Sequence, residues 1–147
     1  EMCIRDSYAT KGKTLWDVMI DMYEKYGYCV DSITAMDFPG LEGMDKMKAM
    51  LSNLRENPLK DIAGYKVVKI RDYSNDTILD VESGKVEPTG LPASNVLYYE
   101  LEGGAWVCVR PSGTEPKIKF YYGVKASSMD EAQAESAKFA EWAKAQA

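Results

Sequence analysis

Three consecutive strand-like stretches near the end of this 147-residue chain most constrain its fold. Residues 95–101 and 105–110 flank the pair Gly103-Gly104, a strong β-hairpin signal because glycine adopts the φ angles that tight turns require. Residues 117–124 come next and alternate apolar with polar side chains, as in a strand with one buried face. Ile118, Phe120, Tyr122 and Val124 share one face of this strand, and Lys117, Lys119 and Tyr121 share the other. The sequence therefore predicts an antiparallel sheet with one buried face.

The rest of the chain supplies further strands and the helices that would cover the sheet. In chain order these are a helix over 14–26, a strand over 28–38, a helix over 41–55, a strand over 65–73 and a helix over 129–146. Residues 74–94 are polar, contain glycine and proline, and are predicted to be a long connection, with a short strand over 77–81 as an option. We predict an α+β fold, with a small, mainly antiparallel sheet of about four strands packed with two helices.

Two of these helices begin with capping signals. Thr14 can cap the first helix, and Asp17 lies three residues beyond it. Ser128 and Glu131 have the same spacing at the start of the last helix and are predicted to form a capping box.

The segment that joins the last two strands contains the residue types that typically bind a phosphate. Residues 110–120 read RPSGTEPKIKF, which places an arginine, two hydroxyl groups, a glycine and two lysines within a short span. A phosphate needs converging N–H and O–H donors together with positive charge. Gly113 lets the backbone turn its amides toward an anion, and the two prolines stiffen the ends of the loop. A plain tight turn is the alternative interpretation of this segment.

Charge narrows the class of ligand. The net charge of −5 argues against a nucleic-acid partner, because binding a phosphate backbone requires a basic face. Locally the balance is reversed: Arg110, Lys117, Lys119 and Lys125 face only one acid, Glu115. A positive loop in an acidic protein suits a small anionic ligand.

Composition also bears on the compartment. No apolar run approaches the ~20 residues of a membrane span, so we expect no membrane partner. Cys3, Cys29 and Cys108 have neither disulfide-framework nor metal-ligand spacing, which favours the reducing cytoplasm. The sequence contains no histidine, the commonest general base and zinc ligand.

The first seven residues differ from the rest of the chain. Residues 1–7 show no periodicity that continues into the next segment, and they resemble translated adapter sequence. We expect this segment to be non-native and the chain to be truncated at its N-terminus.

The loop and its flanks resemble a known family. Residues 110–121, RPSGTEPKIKFY, are similar to the phosphate-binding loop in the C-terminal domain of the α-D-phosphohexomutases. Within that family, the sequence of this loop is most similar to the bacterial phosphoglucomutase and phosphopentomutase-like branch. Residues 11–16 (KGKTLW), 26–28 (YGY) and 91–97 (LPASNVL) resemble further segments of that domain. The resemblance implies that residues 8–27 are a helix left from the third domain and that 28–147 are the C-terminal phosphate-binding domain.

The resemblance implies an intramolecular phosphotransferase that interconverts sugar 1-phosphate and 6-phosphate through a sugar bisphosphate. In that family a phosphoserine in the first domain exchanges its phosphoryl group with the sugar. A Mg²⁺ ion on an Asp-rich loop of the second domain assists, and the fourth domain holds the phosphate that is not transferred. The implied substrate is a phosphorylated sugar, a glucose or pentose phosphate.

The chain carries neither a Ser-His-Asn-Pro nucleophile loop nor an Asp-x-Asp-x-Asp metal loop. We therefore expect no catalytic residue and no metal ligand in this fragment. Its partners would be the missing first three domains, and the fragment would be inactive alone. The alternative is a stand-alone module that binds a phosphorylated metabolite without chemistry.

The resemblance assigns roles within the loop. The predicted phosphate-binding residues are Arg110, Ser112, Gly113, Thr114, Lys119 and Lys117. Arg110 would bind the phosphate bidentately. The hydroxyls of Ser112 and Thr114, with the amides of Gly113 and Thr114, would donate hydrogen bonds. Lys119 would add charge from the strand after the loop.

Other polar or aromatic residues near the loop are given different roles. Lys117 is the second basic candidate, with a solvated surface charge as its alternative. Glu115 is interpreted as a helper that orients the loop or a nearby lysine. Trp106 is interpreted as a core or edge aromatic residue, and not as a platform for a sugar.

Overall fold

The computed structural model describes residues 2–146 and has an α+β fold built on one antiparallel sheet. The helices are α1 (Met2–Ala9), α2 (Leu15–Tyr26), α3 (Gly43–Glu56) and α4 (Met129–Lys144). The strands are β1 (Tyr28–Asp37), β2 (Asp61–Ile62), β3 (Tyr65–Asp72), β4 (Thr77–Asp80), β5 (Val86–Glu87), β6 (Leu97–Leu101), β7 (Trp106–Pro111) and β8 (Lys117–Ala126). The predicted fold class is confirmed.

The sheet has eight strands, more than the approximately four predicted. Seven of them lie in the order β1-β8-β7-β6-β3-β4-β5, and β2 pairs with β3 beside this path. β2 and β5 have only two residues each, too few to show an alternating pattern in the sequence. They are strands because they form short antiparallel pairs with their neighbours in the chain, β3 and β4, and not because of a pattern of their own.

Helices α3 and α4 cover one face of the sheet, and the core lies between them and that face. On β8 the predicted alternation is confirmed, since Ile118, Phe120, Tyr122 and Val124 are all buried. Phe139 of α4 is fully buried and stacks on Tyr122, with ring centroids 5.8 Å apart. From α3, Met47, Leu51 and Leu54 enter the same core.

The opposite side of the sheet is the open face, which carries the partly exposed side chains of Ile33, Tyr98, Trp106, Lys119 and Tyr121. The residues of β8 that were predicted to point away from the core lie here. This face, and not the core, therefore positions the basic residues near the loop.

The predicted hairpin joins β6 to β7. A short 3₁₀ turn over Glu102–Gly104 makes the connection, and Gly103 and Gly104 have φ angles of 68° and 80°. These left-handed values strain residues that have a Cβ, which explains the glycine pair. The turn sets the register that pairs Leu97 with Val109.

The start of α4 differs in one hydrogen bond from the predicted capping box. The Glu131 amide donates to Ser128 Oγ at 3.2 Å, as expected for an N-cap. The Glu131 carboxylate, however, accepts from the backbone N–H of Ser127 at 3.1 Å, and also from its hydroxyl. The cap therefore extends one residue further back along the chain than the capping-box pattern specifies.

The first part of the chain is helical and exposed. The capping pair Thr14 and Asp17 forms as predicted, with reciprocal hydrogen bonds at the start of α2. No residue of α1 or α2 is buried, and Trp16 and Tyr26 are exposed. Within residues 2–146, no helix has the length and apolar character needed to cross a membrane.

Candidate functional site

The loop between β7 and β8 is held closed by its own backbone. The amide of Ser112 donates to the carbonyl of Lys117 at 2.7 Å, and the amide of Lys117 donates to the carbonyl of Glu115 at 2.8 Å. A third bond ties the loop to the end of β1, where the Phe38 amide donates to the carbonyl of Pro116 at 2.8 Å. These bonds fix the position of the loop relative to both flanking strands.

Two cations lie opposite each other where the loop leaves the sheet. Arg110 on β7 and Lys119 on β8 are directly paired in the strand register. Like charges in such a cross-strand pair are destabilising unless a counter-charge is present. Within residues 2–146 neither side chain forms a salt bridge, although ten such pairs occur elsewhere in that range. The arrangement produces a local positive potential that an anion would neutralise.

A cavity of about 170 Å³ lies against these two residues. Its lining consists of Arg110, Pro111, Ser112, Gly113, Lys119 and Tyr121. Four of the six predicted site residues thus come together in one space. The other two, Thr114 and Lys117, lie outside this lining.

Ser112 is oriented by the loop itself. Its Oγ accepts from the amides of Glu115 at 3.3 Å and, more weakly, of Thr114 at 3.5 Å. An oxygen that accepts inside the loop keeps its own hydrogen available for donation to a ligand. The Thr114 amide, predicted to be part of the phosphate cradle, faces Ser112 in this arrangement. The donors left for the cavity are the Ser112 hydroxyl and the Gly113 amide.

Lys117 is held by carboxylates. Its Nζ lies 3.2 Å from Asp37 Oδ1 and 3.8 Å from Glu115 Oε2. The hydrogen bond and charge of Asp37, with the charge of Glu115, raise the pKa of Lys117 above its ordinary value. Lys117 therefore links the loop to the end of β1. Sequence reasoning missed Asp37, because the two residues are distant in the chain and no local pattern connects them.

Tyr121 was also missed, although a signal for it was present in the sequence. It lines the cavity, and its position two residues after Lys119 places it on the same face of β8. Trp106 stacks on Tyr98 with ring centroids 5.8 Å apart and lies outside the cavity lining. Beside them, burial raises the pKa of the Cys108 thiol.

A magnesium ion does not fit the residues that this chain provides. Nowhere in residues 2–146 do three His, Cys, Asp or Glu side chains converge closely enough to hold a metal ion. Mg²⁺ prefers oxygen ligands that include carboxylates, whereas the cavity is lined mainly by cations and hydroxyl groups. The charges and donors of this lining suit an anion better than a metal cation.

Comparisons with known proteins identify the family of this chain. A family model described as the phosphoglucomutase/phosphomannomutase C-terminal domain matches residues 51–141. A phosphoglucomutase of Staphylococcus saprophyticus is 36% identical over 120 residues, which are 82% of this chain and 22% of that relative. A phosphoglucomutase of Staphylococcus aureus is 35% identical, with the same shares covered.

A solved structure shares the fold. The open-form crystal structure of pp63/parafusin, a phosphoglucomutase from Paramecium, superposes with a TM-score of 0.52 at 18% identity. The match covers 90% of this chain and 24% of that structure.

The chain spans about a fifth of the length of the curated relatives it matches, so the comparison concerns one part of those proteins. The family model identifies this part, because its match covers the whole loop, most of the sheet and most of α4. The resemblance inferred from the loop and its flanks is confirmed: the chain belongs to the phosphoglucomutase/phosphomannomutase family, which it matches in the C-terminal domain of that family.

Proposed function

We propose that this chain is the phosphate-binding C-terminal domain of a phosphosugar mutase. The mutase interconverts sugar 1-phosphate and 6-phosphate through a bisphosphorylated intermediate. The observation that carries the proposal is the Arg110–Lys119 pair beside the cavity, two cations without a carboxylate partner in residues 2–146. A doubly charged phosphate supplies the missing counter-charge and accepts from several donors at once.

Within the site each residue has a defined task. Arg110 binds two phosphate oxygens, and Lys119 contributes charge from the adjacent strand. The Ser112 hydroxyl and the Gly113 amide donate to the oxygens that remain. Thr114 lies outside the cavity lining and is assigned a further donor role through its hydroxyl.

This binding contributes to catalysis although no bond changes here. Holding the phosphate that does not react fixes the orientation of the other end of the sugar, and remote binding energy lowers the barrier in this way. The phosphoserine and the Mg²⁺ ion belong to other domains of the longer enzyme, where the metal would neutralise charge on the transferred phosphoryl group. The chain alone is inactive, and its three free cysteines suit an enzyme of the cytoplasm.

The binding part of the proposal is tested by titrating the 147-residue chain with glucose 6-phosphate at constant ionic strength. Backbone amide shifts of residues 110–121 are followed by NMR. We expect saturable shifts centred on the cavity and an increase in Kd of roughly tenfold to a hundredfold for Arg110→Ala, because hydrogen bonds to charged groups are strong. Lys125→Ala removes the same charge elsewhere on β8 and should change Kd little. A folded wild type with no loop response at tens of millimolar would contradict the proposal.

The mutase part is tested in a hybrid enzyme. The 120 residues of this chain that match the Staphylococcus saprophyticus phosphoglucomutase replace their equivalent in that protein. We expect the hybrid to convert glucose 1-phosphate to glucose 6-phosphate and to lose most of this activity with Arg110→Ala. A folded hybrid that binds glucose 6-phosphate but has no activity would contradict a mutase role.

A further inference from the structure

Tyr121 forms the wall of the cavity that faces away from the loop. It lies two residues after Lys119 on the same face of β8, roughly 7 Å further along the strand. Its side chain is half-buried, and its hydroxyl has no hydrogen-bond partner in residues 2–146. The phenol is therefore available to a ligand both as an apolar surface and as a hydrogen-bonding group.

The direction of the strands decides which part of a ligand meets Tyr121. The cavity is bounded at one end by Ser112 and Gly113, where the loop closes through its own hydrogen bonds. At the other end the cavity is bounded by Tyr121, which lies on the open face. Its neighbours in the strand register are Cys108 and Ile33. A phosphate between Arg110 and Lys119 thus has donors on its loop side. We therefore expect the group esterified to it to extend across Tyr121.

We propose that Tyr121 is the residue that distinguishes a sugar phosphate ester from free inorganic phosphate at this site. The inference rests on the proposed function, because it requires a phosphate between Arg110 and Lys119. The ring packs against the C–H surface of the sugar carbon next to the ester oxygen. An aromatic ring provides such contact with little loss of side-chain entropy. Inorganic phosphate has no carbon that could pack against the ring, so it lacks this apolar contact.

The first test compares two ligands on the 147-residue chain by NMR titration at matched ionic strength and pH. The wild type should bind glucose 6-phosphate roughly three- to tenfold more tightly than inorganic phosphate, the size of a typical aromatic contact. Tyr121→Val, which preserves strand propensity, should bring this ratio close to one and leave the Kd for inorganic phosphate within about twofold.

Tyr98→Val is the matched control. Tyr98 is a half-buried tyrosine on the same face that lies outside the cavity lining, and its replacement should preserve the preference for the ester. An equal preference in wild type and a folded Tyr121→Val variant would overturn the inference while leaving phosphate binding intact. If wild type binds neither ligand, the proposed function fails and this inference fails with it.

A second measurement does not depend on any variant. In the complex of wild type with glucose 6-phosphate, we expect nuclear Overhauser effects between the Tyr121 ring protons and the protons on sugar carbon 6. Their absence at a ligand concentration that saturates the loop shifts would overturn the inference, even if Tyr121→Val failed to fold.

Discussion

At the scale of single residues, Arg110 and Lys119 place two cations opposite each other on neighbouring strands. This arrangement suits anion binding and opposes the stability of the free protein. We predict that Lys119→Met, which keeps most of the aliphatic stem, raises the free energy of unfolding of the ligand-free chain by up to about 1 kcal/mol at low salt. The same change should weaken phosphate binding.

The measurement is thermal unfolding in a low-salt buffer without phosphate, repeated with phosphate added. Lys60→Met is the control, because Lys60 is exposed and has no salt bridge within residues 2–146. Added salt should reduce the difference between Lys119→Met and wild type, since screening weakens the repulsion. A lower unfolding midpoint for Lys119→Met without phosphate would contradict this account.

A second prediction at this scale concerns two buried tyrosines. Tyr99 is fully buried, and its Oη has no hydrogen-bond partner in residues 2–146. Burial raises the pKa of this phenol far above its usual range. Removing an unpaired hydroxyl removes no bond, so Tyr99→Phe should be neutral or stabilising by about 1 kcal/mol.

Tyr122→Phe provides the matched comparison, since the Tyr122 hydroxyl bonds to Thr34 Oγ1 at 3.0 Å. Loss of this hydrogen bond should lower the free energy of unfolding by about 0.5–1.5 kcal/mol. Urea unfolding of the two variants measures both values. A loss for Tyr99→Phe as large as that for Tyr122→Phe would show that the Tyr99 hydroxyl is bonded in solution.

At the scale of elements, the start of α4 carries a pH-dependent contribution to stability. The hydroxyl and amide of Ser127 bond the Glu131 carboxylate and lower its pKa below the ordinary 4.5. A carboxyl with a lowered pKa in the folded state stabilises the fold above about pH 4.5. This stability is lost as the pH falls through the folded pKa.

We therefore predict that Glu131→Gln is less stable than wild type at pH 6 and that the difference shrinks toward pH 3. Glu141→Gln, at an exposed position on the same helix, is the control for the Glu-to-Gln substitution itself. Urea unfolding at several pH values provides the test. A difference that stays constant from pH 6 to pH 3 would contradict the role of the Glu131 charge.

The elements also show what local sequence can predict. Long periodic segments such as β8 and α4 were predicted within two residues at each end, because each has an apolar face that the core requires. The two-residue strands β2 and β5 were not predicted, since each is too short to show an alternating pattern. The residues of the candidate site also differ in how far local sequence can identify them. Arg110 and Lys119 can be identified from the loop pattern, whereas the Asp37–Lys117 bridge depends on how β1 pairs with β8.

At the scale of the whole molecule, the buried core begins at β1. Tyr28 and Val30 pack against the core, whereas no residue of α1 or α2 is buried. Few contacts hold α2 to the sheet beyond the stack of Tyr23 on Tyr28, with ring centroids 5.4 Å apart. The domain boundary at residue 28 stays a prediction, and this distribution of burial suggests how to test it.

We predict that a chain of residues 28–147 keeps the fold and the site. Its unfolding should remain cooperative, with a midpoint lowered by less than roughly 4 °C, because little buried surface is lost. Helical ellipticity should fall by the share of α1 and α2, and the loop amides should respond to phosphate as in the longer chain. Phe139→Ala in the 147-residue chain is the reference for the loss of a core contact. Phe139 is fully buried, so this change should lower the free energy of unfolding by about 3–5 kcal/mol. If deleting residues 1–27 destabilises the chain as much as Phe139→Ala does, α2 belongs to the same cooperative unit as the sheet, and the boundary at residue 28 is wrong.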